Sequence, residues 1–62
     1  MTILSSTSRV PLGTTGRTGE KCPESGVWQA IANPGGEIPL SKGETFPPHN
    51  NQAVTWKLVR YA

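Results

Sequence analysis

A chain of 62 residues holds one small domain at most. Apolar residues make up 34% and charged residues 16%, both below the usual globular shares, and seven Gly with six Pro make the chain turn-rich. This arithmetic excludes a multi-domain plan, an α/β fold and most enzymes, and it leaves a small β-rich module. Six basic residues face four acidic ones, all Glu, for a net charge of +2. The cations Arg9, Arg17, Lys21, Lys42, Lys57 and Arg60 are scattered, so no basic run tracks a phosphate backbone.

Cys22 is the single cysteine, so no intramolecular disulfide can staple the fold, which fits a reducing compartment. The start of the chain, Met1 to Arg9, has no basic n-region and reads as no secretory signal. No stretch approaches the ~18 apolar residues of a membrane span. The expected location is the cytoplasm.

Residues 1–18 are rich in Ser, Thr and Gly, with Ile3, Leu4, Val10 and Leu12 as scattered apolar points. No period of 2 or 3.6 links them, and the reading is a flexible tail whose burial would not offset its ordering entropy. Order is expected from Gly19. Gly19 to Gly26 is turn chemistry: Pro23 fixes φ and Gly26 can take φ > 0 ahead of a strand. Val27 to Asn33 reads as a strand from its β-branched and aromatic residues, because seven residues between Gly and Asn-Pro-Gly-Gly are too few for a stable helix.

Asn33-Pro34-Gly35-Gly36 suits a type II turn, with Pro at the second position and Gly at the third. It predicts a hairpin into a second strand, Glu37 to Ser41. Pro39 cannot donate to a ladder, which puts that strand at a sheet edge. Lys42 to Gln52 is a loop anchored by Phe46. Ala53 to Tyr61 is the last strand, with Val54, Trp56 and Leu58 on one face and Thr55, Lys57, Val59 and Tyr61 on the other. The spatial order is then second strand, first strand, last strand.

The pattern G-E-x-apolar-P occurs twice, at Gly19 to Pro23 and Gly43 to Pro47, each time ahead of a strand that bears a Trp. Five-residue copies are too short to carry a repeat fold, and they read as two similar turns with Cys22 and Phe46 as plugs. The expected core is Cys22, Trp28, Ile31, Ile38, Leu40, Phe46, Val54, Trp56 and Leu58. Trp28 and Ile31 have opposite strand parity, so burying both needs a twist, a bulge or a second packed face.

Each chemistry has a plainer alternative. Cys22 and His49 resemble a nucleophile–base pair, but no Asp exists to orient the imidazole and the chain is too short for a pocket with an oxyanion hole. Cys22 and His49 with Glu24 or Glu44 offer one chain too few ligands for a structural zinc site, and two chains would be needed. Neither a metal nor any other cofactor is expected. Trp28, Trp56, Tyr61 and Phe46 with Lys57 and Arg60 have the residue types of a single-strand nucleic-acid platform, although of the aromatics Tyr61 alone is expected at the surface. Glu20, Glu24, Glu37 and Glu44 select no carboxylate pair by spacing. Gly13, Gly16 and Gly19 lack the following G-K-[ST] of a phosphate loop.

The stretches G-E-K-C-P-E-S-G-V-W, I-P-L-S-K-G-E-T-F-P-P and V-T-W-K-L-V resemble the small bacterial YjzC-like proteins. The positions that carry the resemblance are Gly19, Glu20, Pro23, Ser25, Gly26, Trp28, Lys42, Gly43, Glu44, Phe46, Pro47 and Trp56. The resemblance excludes residues 1–18. It implies an uncharacterised family with no assigned activity, and similar segments at the ends of larger proteins would fit an appended interaction module. The family pattern demands neither a Cys at Cys22 nor a His at His49.

The combined expectation is an all-β miniature domain over residues 19–62, with three antiparallel strands, long loops and a disordered tail over 1–18. The expected function is a non-enzymatic interaction module that self-associates or docks a protein partner. A weak nucleic-acid-binding module is the alternative, and a membrane partner is not expected. The expected contact is the free edge of the last strand, with Lys57, Val59, Arg60 and Tyr61 as candidate interaction residues.

Overall fold

The structure is a computed structural model that describes residues 9–62. The described residues form no helix and one antiparallel sheet. Its strands are β1 (Thr15–Arg17), β2 (Gly26–Ile31), β3 (Glu37–Leu40) and β4 (Thr55–Tyr61), in the spatial order β1-β4-β2-β3. β2 and β4 are central, and β3 with Pro39 lies at an edge, where a missing N–H leaves no gap in a ladder.

Side-chain alternation in β2 and β4 builds the core. Gly26, Trp28 and Ala30 of β2 and Trp56 and Leu58 of β4 are buried, while their neighbours are not. Cys22, Phe46 and Val54 close over this face from the connecting segments. Trp28 and Phe46 meet edge to face, with ring centroids 4.9 Å apart. Both buried indoles are satisfied: Trp28 Nε1 donates to the Glu24 carbonyl at 3.1 Å and Trp56 Nε1 to the Pro47 carbonyl at 3.0 Å.

The layer above the sheet is made by the two G-E-x-apolar-P segments, which pair with each other. Cys22 N–H donates to Glu44 O at 2.6 Å, and Phe46 N–H donates to Glu20 O at 2.9 Å. Gly19 N–H donates to Phe46 O at 2.9 Å, and Gly43 N–H to Cys22 O at 2.8 Å. Each bond has its counterpart under exchange of the two segments, and both turn glycines take φ +95°. The sheet obeys the same exchange. Swapping β1 with β3 and β2 with β4 reverses the strand order onto itself, and the pairs Trp28↔Leu58 and Ala30↔Trp56 interchange. The domain is therefore a pseudo-twofold pair of β-turn-β halves, and the sequence echo marks it. The second half carries an added hairpin, His49 to Gln52, whose tip residues Asn50 and Asn51 have φ 53° and 63°.

Five expectations are corrected. The sheet has four strands, not three, because Thr15–Arg17 pairs with β4. The expected tail is docked over its described part: Gly13 N–H donates to Leu58 O at 2.8 Å, and Tyr61 Oη donates to Val10 O at 3.0 Å. Residues 1–8 of that tail lie outside the described residues. Ile31 is 53% exposed, and Ala30 takes the interior place. Strand parity set by Trp28 outweighs side-chain size here. Neither Gly35 nor Gly36 adopts the left-handed φ of a type II turn, and the Asn33–Pro34 peptide is cis. Gly26 does not take φ > 0 either. It is a strand residue whose Cβ would strike the Arg60 carbonyl oxygen and come within 2.9 Å of Leu58 Cδ1, so its glycine admits β4.

Candidate functional site: the open face of the sheet

One face of the sheet is covered by the paired segments, and the other has no second layer among the described residues. Register and parity assign the open face. One row across it reads Thr15, Lys57, Gln29, Glu37. A second reads Arg17, Thr55, Ile31. A shift between Val27 and Trp28 then sets Val27 opposite Arg60 and leaves Val59 as the extra residue of β4. Arg60 therefore joins the open face, where its Nη2 meets Glu37 Oε1 at 3.0 Å. The side chains of that pair are 63% and 42% exposed, so it contributes at most about 1 kcal/mol and leaves Arg60 free to change partners.

Of the four candidate interaction residues, Lys57, Val59 and Arg60 share this face. Tyr61 does not: beyond the shift it pairs with Gly26 and packs against the core, its hydroxyl bound to Val10 O and its ring under the Arg9 guanidinium, 4.4 Å from the centroid. Sequence reasoning missed Arg17, Val27, Ile31 and Pro39 as members of the same surface. Simple alternation from Trp28 points to Val27 and Ile31, whereas Arg17 needed β1 to be recognised.

The last strand is not an edge. β1 covers it from Thr55 to Lys57, and Leu58 N–H donates to Thr14 O at 2.9 Å. At one end of each true edge a twin turn holds the outward backbone groups of a single residue. Arg17 N–H donates to Glu20 Oε1 at 2.9 Å while Arg17 O accepts from Glu20 N–H. Ser41 N–H donates to Glu44 Oε1 at 2.6 Å while Ser41 O accepts from Glu44 N–H. Two of the four glutamates thus occupy the outward groups that an added strand would use.

Cys22 and His49 engage different partners. The Cys22 thiol is buried and donates to Glu24 O at 3.1 Å. His49 Nε2 lies 2.9 Å from Pro34 O, and its ring meets Trp56 edge to face at 6.0 Å, which ties the 32–36 connection to the added hairpin. Among the described residues no group of three or more His, Cys, Asp or Glu side chains is placed to hold a metal ion. Trp28, Trp56 and Phe46 are buried, so among the described residues the open face presents no aromatic ring for base stacking. At its end, where β2 begins and β3 finishes, lies a cleft of about 320 Å³ bounded by Gly26, Val27, Pro39 and Leu40, with Ser25 and Ser41 at its rim.

The twin G-E turns, the Ser-Gly entry to a Trp-bearing strand and the closing Trp strand make this a small all-β domain. The family model of YjzC-like proteins matches residues 13–58. The chain belongs to the YjzC-like family. The matched span includes β1 as well as both turn segments, which agrees with β1 being part of the fold. No curated protein and no solved structure matches the chain. No helix among the described residues is long and apolar enough to cross a membrane.

Proposed function

We propose that this chain is a non-enzymatic interaction module that docks a protein partner through the open face of its sheet. The observation that carries the reading is the composition of that face: Val27, Ile31, Val59 and Pro39 are interspersed with Arg17, Lys57 and Arg60, against the single acid Glu37. Apolar contacts supply affinity in such a surface, and the surplus of cations supplies orientation and on-rate toward an acidic partner. An enzyme is disfavoured because the nucleophile and base candidates, Cys22 and His49, are each held by a backbone carbonyl in separate places. We assign the module to the cytoplasm on the free, unpaired Cys22.

The test is cross-linking of the tagged full chain in cells, followed by purification of each cross-linked protein and measurement of its binding in vitro. Ile31→Asp and Val59→Glu should weaken binding of a true partner by tenfold or more, about 1.4 kcal/mol, while leaving the melting curve in place. Binding that is unchanged by both substitutions would overturn the reading. So would salt-sensitive association with single-stranded nucleic acid in place of any protein, which would favour the alternative of a nucleic-acid-binding module.

A further inference from the structure

We infer that the cleft at the end of β2 and β3 is the seat of the chain's own apolar pair Ile3-Leu4, carried there by the segment that precedes Arg9. The inference stands whether or not the open face docks a partner.

The chain ahead of Arg9 starts beside the cleft. Tyr61 Oη donates to Val10 O at 3.0 Å, and the Arg9 guanidinium lies 4.4 Å from the centre of the Tyr61 ring. Both contacts pin the chain at the end of β4 that pairs with Gly26, where β2 begins and β3 finishes. Ala62, the residue after Tyr61, is itself part of the cleft wall. Leu4 stands five positions before Arg9. Five extended residues span up to about 16–18 Å. From β4 across β2 to β3 is two strand spacings, about 10 Å. The pair is therefore within reach of the cleft, and so short a tether holds it there at an effective concentration in the millimolar range.

Size and chemistry select this occupant. An apolar cavity of about 150 Å³ holds one benzene-sized group, so a volume of about 320 Å³ takes two side chains of the Ile and Leu class. The polar groups at the rim are already engaged: Ser25 Oγ accepts from Lys42 N–H at 2.8 Å, Ser25 O accepts from Ala62 N–H at 3.2 Å, and Ser41 N–H is held by Glu44. Val27, Pro39, Leu40 and Ala62 leave apolar walls, and no described residue that bounds the cleft is charged. Thr2 to Ser8 carry no charge either, and Ile3-Leu4 is the apolar point of that stretch. Neither large apolar residue exposed elsewhere among the described residues lies at the cleft. Ile31 ends β2 at its far end, and Leu12 precedes β1, which β4 and β2 separate from β3. The seated pair covers Val27 and Pro39 and leaves Ile31 and Val59 of the open face to a partner.

The experiment is nuclear magnetic resonance on the isotope-labelled full chain with no ligand added. Methyl groups of Ile3 and Leu4 should show nuclear Overhauser contacts to Val27, Pro39 and Ala62, and both residues should have order parameters above about 0.6. Ile3→Ser combined with Leu4→Ser should remove these contacts and shift the amides of Gly26, Val27, Leu40 and Ser41 while the spectrum stays dispersed. Ser41→Trp, which fills the cleft from an exposed rim position, should release the pair and bring its order parameters below about 0.6. The double Ser variant lies outside the sheet and decides the matter alone should the Trp variant fail to fold. Order parameters below about 0.6 at Ile3 and Leu4 in the unaltered chain, contacts of the pair to another surface, or cleft amides unmoved by the double Ser variant would overturn the inference. Contacts that fade on dilution would also overturn it, because a second copy would then supply the pair.

Discussion

A Cβ on Gly16 would lie 2.5 Å from Cε2 of Phe46, so β1 rests against the edge of that buried ring. Together with its ladder to β4, this contact seats a three-residue strand that has no apolar side chain of its own. Gly16→Ala is expected to destabilise the domain by about 1–3 kcal/mol through overpacking. Shortening the ring with Phe46→Leu in the same chain should relieve part of that loss, giving a coupling of about 0.5 kcal/mol or more in a double-mutant cycle from denaturant unfolding. Strict additivity would show that the two residues do not press on each other.

Trp56 joins the sheet to the layer above it through its ring and through its bond to Pro47 O. Trp56→Ala is expected to cost about 3–5 kcal/mol, most of what a domain this small has to lose. Near-ultraviolet circular dichroism would then show loss of fixed packing, and a cooperative melt at the wild-type temperature would contradict the assignment.

Removing residues 1–17 uncovers the outer side of β4, including the N–H of Leu58 that Thr14 O now accepts. The shortened chain should become concentration-dependent in sedimentation velocity, whereas the full chain should not associate through that strand. If both sediment alike, β1 is not what protects the edge.

Glu20→Ala and Glu44→Ala remove matching acceptors. Each should speed amide exchange at one residue, Arg17 in the first case and Ser41 in the second, and lower stability by about 1 kcal/mol. Glu→Gln at either place keeps a side-chain oxygen and should largely restore protection. Effects of similar size at the two sites would express the twofold relation in energy; a response at one site alone would break it.

Much of this architecture was legible in the residues. Alternation in Val54–Leu58 and the Gly and Pro boundaries gave three strands, and Pro39 gave an edge. β1 was not legible because its stability is non-local: Thr15–Arg17 has no pattern, and its partners Phe46 and Trp56 lie far along the chain. Burying Ile31 together with Trp28 needs a break in alternation between them, and the one irregularity in that pairing lies before Trp28, so Ile31 stays outside. At the candidate site, Lys57 and Val59 followed from alternation. The place of Arg60 and the turning-away of Tyr61 depend on the irregular register beside Val27, which no local residue type announces.

Under the twofold relation that matches Arg17 with Ser41 and Gly19 with Gly43, Gly16 corresponds to Leu40 and Cys22 to Phe46. The first half thus contributes the small members, Gly16 and Cys22, and the second half the bulky ones, Leu40 and Phe46. Two first halves would enclose a void, and two second halves would collide. The domain is built like a heterodimer sewn into one polypeptide, its two halves fitting as unlike partners, small side chains against large. Two whole chains that exchanged halves would still satisfy that fit.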